Sequence, residues 1–316
     1  MTPATDAPPR TPVRYLDLLA RAKAHIDAHL DGDLSADALA DQAAMSRHHF
    51  HRMFRAYFGT SVQGYVTWRR LRHACELLAG GERAVLEVAL AVGYDSSQAL
   101  AKAMRRELDT TPSAVRSGQE APHWQRLFDR RNTSFTPSPS GDPMLKPQLI
   151  DIPALAVLTA TGRGMARGDM SRAAQQAFGE LMPALDAAGL QPRALSCLAL
   201  FPDLPAGDDD QQCRLLGGVV FDCALQGSEP RGQPAQPELP LTGSLAWWHL
   251  PASRYAVFTH LGPYAGLHTV WTAIYRDWLP ATGYALRDVP PFELYVNSPE
   301  VTPPAQLRTD IHIALR

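Results

Sequence analysis

Apolar positions recur at helical spacing through the first third of the chain. Leu16, Leu19, Ile26 and Leu30 fall near one face of a helix over about Tyr15–His29, which the DGD run at Asp31–Asp33 ends. Ser35 suits the N-cap of a second helix running through Ala44, and a third, Ser46 to Phe58, carries Phe50, Met53, Phe54 and Tyr57 on one side. Helix, tight turn, helix is the outline of a helix-turn-helix unit.

The unit then occurs again. Leu39-Ala40 matches Val88-Ala89 at an offset of 49, and with one extra residue in the turn, Asp95, the offset becomes 50 and pairs Phe50 with Leu100, Phe54 with Met104 and Phe58 with Leu108. In all, the periodicity predicts seven helices before residue 117. Ser61–Ala79 reads as a connecting helix about 28 Å long at 1.5 Å per residue. That approaches the roughly 34–36 Å between successive major-groove faces on one side of B-DNA, so a stiff rod could hold two reading heads one turn apart.

From Leu145 onward the pattern becomes short apolar runs broken by Gly and Pro, which is strand punctuation. Ile152-Pro153-Ala154 leads into a strand Leu155–Ala160, a helix about Arg172–Ala188, and strands Leu195–Phe201 and Arg214–Asp222. Leu250-Pro251-Ala252 then leads into a strand Tyr255–His260, a helix Leu267–Leu279, and strands Phe292–Val296 and Thr309–Leu315. Both halves read β-α-β-β, so the expected fold class is an all-α N-terminal domain, two helix-turn-helix units joined by a long helix, followed by an α+β domain of tandem β-α-β-β repeats.

Proline sharpens the boundary between them. Of 27 prolines in 316 residues, four lie in residues 1–12, none in 13–111 and 23 in 112–316, and interior proline costs a helix about 3 kcal/mol. Domains are therefore expected at 13–116 and 145–316, with the polar, proline-rich stretch 117–144 as linker. Residues 13–116 carry 14 Lys/Arg against 12 Asp/Glu, while 145–316 carry 12 against 16. The local distribution says more than either sum. Between Asp41 and Glu76 there is no acidic residue, yet Arg47, Arg52, Arg55, Arg69, Arg70 and Arg72 all fall there. The chain has no run resembling a membrane span or signal peptide, which leads to the expectation of a cytoplasmic protein with no membrane partner. Its four cysteines form no CxxC pair, and no cofactor motif is present.

The text LSADALADQAAMSRHHFHRMFRAYFGTSVQGYV, followed by AVGYDSS, AMRREL and TP, resembles the DNA-binding domain of the AraC/XylS family over about 85 residues ending at Arg116. The resemblance implies that the helices starting at Ser46 and Ser96 enter adjacent major grooves of double-stranded operator DNA. His48, His51 and Arg52 would then approach base edges from the first, and Ser97, Gln98 and Lys102 from the second, with Arg47, Arg55, Arg105 and Arg106 completing the DNA-binding set. Residues 48, 51, 52 and 55 follow i, i+3, i+4, i+7 on the face opposite Phe50 and Phe54, and Arg and Gln suit guanine and adenine edges, each discriminating by about 1–3 kcal/mol. Two blander readings stand beside this one: a solvated basic face, and a metal held by His48 and His51 one turn apart. The second unit departs from the family pattern, with Leu100, Met104 and Leu108 in place of aromatics, Asp109 in place of glycine, and Ala101 offering little to a base.

The motifs HLGPY (His260–Tyr264), DWLPATGY (Asp277–Tyr284), PPFELYVNSP (Pro290–Pro299) and TDIHIAL are similar to the GyrI-like effector-binding domain, over about 170 residues, in the Rob-type order after the helical domain. Strand alternation puts Phe292, Leu294 and Val296 on one face and Glu293 with Tyr295 on the other. Aligning Phe201 with Tyr295 leaves Ala199 where the second half has Glu293, so the carboxylate breaks the repeat. The resemblance makes Glu293 a pocket anion for cationic or polar effectors, ringed by Tyr264, Trp271, Tyr275 and Tyr295, with cation–π attraction of about 0.5–2 kcal/mol. Leu267, Val270, Trp271, Ile274 and Trp278 also form an ordinary core stripe. The expected protein is a non-enzymatic, ligand-responsive transcription regulator whose partners are DNA, a small lipophilic or cationic effector and RNA polymerase. The rival readings are a GyrI-like hydrolase of electrophiles, using Glu293 and Tyr295, and a topoisomerase-binding module.

Overall fold

Hydroxyl side chains start most of the helices that the apolar spacing predicts. The computed structural model of the protein describes residues 14–118, 124–128, 145–166, 168–203, 205, 209–221, 225 and 236–316, which fall in two units, within Tyr15–Ser140 and within Gly141–Arg316. The first holds α1 (Tyr15–Ala28), α2 (Ala36–Gln42), α3 (Arg47–Phe58), α4 (Val62–Ala79), α5 (Val85–Ala91), α6 (Ser97–Leu108) and α7 (Pro112–Arg116). The side chains of Ser35, Ser46, Ser61, Ser96 and Thr111 each accept the backbone N–H three residues on, supplying the caps of α2, α3, α4, α6 and α7. At the other end, α3 stops on Gly59 at φ +70° and α6 on Asp109 at φ +50°, so aspartate does in the second unit what glycine does in the first.

Phe50, Phe54 and Phe58 of α3 are buried with Tyr65 and Trp68 of α4, the rings of Phe54 and Phe58 lying 4.4 Å apart. Leu100, Met104 and Leu108 occupy the matching places on α6 and are equally buried. The linker expected at 117–144 is not all connection. Residues 124–128 form a short helix, α8, and its Trp124 and Phe128 are buried, with the Phe128 ring 6.0 Å from that of Trp68. Two large aromatic side chains gain more from this contact than from water. Residues 119–123 and 129–144, including SFTPSPSGDP, lie outside the described residues, as do Asp222, Cys223 and residues 230–235.

Among the described residues the second unit has eight strands in one antiparallel sheet, ordered β1-β6-β8-β7-β3-β4-β2-β5. They are β1 (Gln148–Ile152), β2 (Leu155–Arg163), β3 (Ser196–Leu200), β4 (Arg214–Val220), β5 (Ala246–Leu250), β6 (Ser253–Leu261), β7 (Phe292–Tyr295) and β8 (Arg308–Leu315), with α9 (Ser171–Ala187) after β2 and α10 (Leu267–Ala273) after β6. Each half thus begins with a strand that the expected β-α-β-β pattern lacks. Pro153-Ala154 and Pro251-Ala252 separate these extra strands from the next ones without forming hairpins, because β1 pairs with β6 and β5 with β2. Two residues span at most about 7 Å of extended chain, yet β1 and β2 sit toward opposite edges of the sheet order. The sheet therefore curls until its edges approach, enclosing Leu155, Leu200, Leu250, Tyr255, Phe292 and their neighbours in one buried cluster.

The helices cover the other face. α9 lies on β2 and β4, with Leu181 and Leu185 packed against Leu158 and Val219. Gly162 permits that approach, since a Cβ there would meet the carbonyl oxygen of Ala173 at 1.7 Å. The helix expected as one piece over Leu267–Leu279 is instead α10, a π-helical stretch Ile274–Trp278, and α11 (Leu279–Thr282). Pro280 has no N–H to give to the carbonyl four residues back, and the wider turn takes Leu279 N–H to Ile274 O instead.

Candidate functional site

Two places gather the chemistry expected from the sequence, one in each unit. In the helical unit, Phe50, Met53, Phe54 and Phe58 turn α3 inward, leaving Arg47 exposed and His48, Arg52 and Arg55 half-buried. Arg47 is held 3.1 Å from Asp37 of α2. On α6 the buried stripe is Leu100, Ala103, Met104 and Leu108, while Gln98, Lys102, Arg105 and Arg106 are exposed and Ser97 is half-buried. Arg106 sits 2.7 Å from Glu107.

His51 departs from its expected place. It is 5% exposed, and burial together with the charges of Arg55, Arg52 and Arg47 pushes its pKa down to about 4. At about 100° per residue it lies only about 60° round the helix from Phe54, so it borders the core face instead of opposing it. The basic stripe is also shorter than its sequence suggests. Arg69 binds Asp27 at 2.7 Å, Arg70 donates to the carbonyl oxygens of Leu30 and Gly32, and Arg72 binds Glu76 at 3.1 Å. Arg69 and Arg70 thus tie α4 to α1 and the chain after it, while the Arg72 pair stays within α4.

In the sheet unit, Glu293 stands at the centre of the sheet. β7 pairs with β3, and Glu293 lies directly across from Ala199, on the face that the helices cover. It is 5% exposed. The indole Nε1 of Trp271 donates to its Oε1 at 2.6 Å, and the hydroxyl of Tyr295 donates to its Oε2 at 3.1 Å. Burial, then the adjacent carboxylate, holds the Tyr295 pKa well above the ordinary phenol value, so this hydroxyl remains a donor through the usual pH range. Tyr264 packs edge-on to Tyr295 with ring centres 5.4 Å apart, and its pKa is raised by burial and by Glu293.

Tyr275 stacks on Trp271, with ring centres 6.2 Å apart and planes 7° off parallel, and so forms a second layer behind the indole. Two further aromatics come from the other half: Phe201 lies 5.6 Å from Trp271, and Phe178 of α9 lies 5.9 Å from Tyr295. Phe178 was not legible as a site residue, because it belongs to a different helix 115 positions from Glu293. The arrangement is a buried carboxyl group whose two oxygens each accept a hydrogen bond, set among half-buried aromatic rings. Among the described residues no group of three or more His, Cys, Asp or Glu side chains is placed to hold a metal ion, and no helix is long and apolar enough to cross a membrane.

Comparison with known proteins follows the same division. The GyrI-like small molecule binding domain matches residues 145–316, and a helix-turn-helix domain matches residues 39–118. Regulatory protein SoxS of Escherichia coli (strain K12) is 36% identical over 100 residues, covering 32% of this chain and 90% of its own. Probable transcriptional regulator YgiV of the same organism is 40% identical over 67 residues, 21% of this chain and 41% of its own. Transcriptional regulator Rob of Salmonella typhimurium is 33% identical over 104 residues, 33% of this chain and 35% of its own. The chain thus spans less than half the length of the latter two.

Proposed function

The chain belongs to the GyrI-like small molecule binding domain family and carries an AraC-type helix-turn-helix domain ahead of it, and from that premise we propose that it is a sequence-specific transcription regulator responding to a lipophilic cation. The observation that carries the effector class is Glu293: a carboxylate 5% exposed, held by Trp271 and Tyr295, at the point where the matching strand has Ala199. A buried anion is retained only where something offsets its desolvation. Two neutral donors do so in part, and a cation would do so more fully.

The sheet order supports reading the unit as a tandem pair. Exchanging β1–β4 with β5–β8 reverses the order β1-β6-β8-β7-β3-β4-β2-β5 onto itself. The effector cleft then lies where the two halves meet, at β3 and β7, with the charge supplied by one half and Phe178 and Phe201 by the other.

On the DNA side, α3 and α6 act as two reading heads. His48 and Arg52 on α3, and Ser97, Gln98 and Lys102 on α6, approach base edges. Arg47, Arg55, Arg105 and Arg106 serve the phosphates, while His51 packs. Two heads in one chain make a monomer sufficient for an asymmetric site of about two helical turns. RNA polymerase is the partner that a regulator of this kind would address. The test is selection of bound DNA from a random-sequence pool by the full chain, with and without tetraphenylphosphonium as the cationic probe. Enrichment of a two-part sequence whose affinity changes with the cation is the expected result. Failure to enrich any sequence would overturn the regulator reading.

A further inference from the structure

We infer that Arg70 is a positioning residue that fixes the spacing between the two DNA-reading helices, an inference that rests on the two-headed reading above. Its Nε donates to Leu30 O at 2.8 Å and its Nη2 to Gly32 O at 3.1 Å, so the connecting helix α4 grips the chain just beyond α1. The same guanidinium lies against the turn of the second helix-turn-helix unit. A Cβ on Gly93 would come within 2.5 Å of Leu30 O and 2.6 Å of Arg70 Nη2. Three segments therefore meet at one side chain: the loop after α1, the middle of α4, and the turn from which α6 starts four residues later.

The duplication supplies an internal comparison. Ala44 is the counterpart of Gly93 at the offset of 49, and both have left-handed backbones, φ +51° and +78°. The first turn tolerates a methyl group in that conformation. What bars one from the second turn is the contact with Leu30 and Arg70, and not the backbone angle alone. The contact is specific to the unit whose distance from the other it would set.

The planar fork of arginine matches two carbonyl oxygens, and a lysine ammonium reproduces the charge without that geometry. The full chain and its Arg70→Ala and Arg70→Lys variants would each select DNA from a random-sequence pool. The wild type is expected to recover two sequence blocks at one separation. Both variants should recover the same two blocks at separations spread over neighbouring values, and their affinity for the wild-type spacing should fall about tenfold, as the second head is presented less effectively once the first is bound. Loss of stability alone would reduce the DNA recovered without widening the separations. A single unchanged separation in both variants would overturn the inference. A wild type that selects only one block would overturn the two-headed reading, and that failure is visible before either variant is made.

Discussion

Replacing Glu293 separates its charge from its hydrogen bonds. Glu293→Gln keeps the shape: its amide oxygen can accept from Trp271 Nε1, now 2.6 Å from Oε1, and its amide nitrogen can donate to the Tyr295 hydroxyl oxygen, now 3.1 Å from Oε2. Both bonds survive, so stability should change by less than about 1 kcal/mol. Glu293→Leu leaves two half-buried donors without this acceptor, at up to about 1–3 kcal/mol each, and should melt lower. For a ligand the ranking differs, since both variants lose the same charge. A partly desolvated ion pair outweighs the 0–1 kcal/mol of an exposed one, and at about 1.4 kcal/mol per decade the affinity for tetraphenylphosphonium should drop about tenfold or more in each. Affinity for neutral triphenylphosphine oxide should hold in Glu293→Gln. Titration calorimetry with both ligands, alongside thermal melts, reads all of these quantities. Equal cation binding by wild type and Glu293→Gln would refute the reasoning and leave only the aromatic walls to account for selectivity.

Two further outcomes concern stability. His312 stacks on Phe292 with ring centres 4.2 Å apart and is 1% exposed, and burial lowers its pKa from 6.5 to about 4, as it does for His51 in the other unit. Both pKa values are depressed on folding, so the unfolded chain takes up protons first: stability is full above about pH 6.5 and falls toward pH 4, by about 2 kcal/mol per histidine at pH 5, and urea melts that coincide at pH 7 and pH 5 would count against it. Ala44→Gly should stabilise the helical unit by about 1 kcal/mol, because it relieves a left-handed alanine at φ +51°; thermal melts would show an unchanged or lower midpoint if the turn carries no strain.

The duplicated helical unit was legible because its signal is local and doubled. Apolar spacing, helix starts at Ser46 and Ser96, and the 49-to-50 offset lie within short windows. Its electrostatics were not, because partners come from afar. Arg70 and the carbonyls it grips are 38 and 40 positions apart, and Arg69 reaches back to Asp27 on α1. A run of arginines announces charge, and only the fold says which of them face inward. His51 shows the same limit at finer grain: the i, i+3, i+4, i+7 series spreads over about 100° of the helix, and its inner member borders the core.

In the sheet unit the reverse held for one residue. Glu293 was found from a broken symmetry, Ala199 in one half against a carboxylate in the other, and the two prove to be direct cross-strand partners. Strands β1 and β5 were missed since QLIDI and AWWHL are short, partly exposed and followed by proline, which reads as loop until the curl of the sheet supplies their pairing. Trp271 is the instructive case. Its spacing with Leu267 and Ile274 makes it core by pattern, yet its indole N–H ends on Glu293. A tryptophan on an apolar stripe carries one polar atom that must find an acceptor when buried. In a half where strand alternation sets a carboxylate apart from its apolar neighbours, that requirement alone is a reason to pair the indole with the carboxylate.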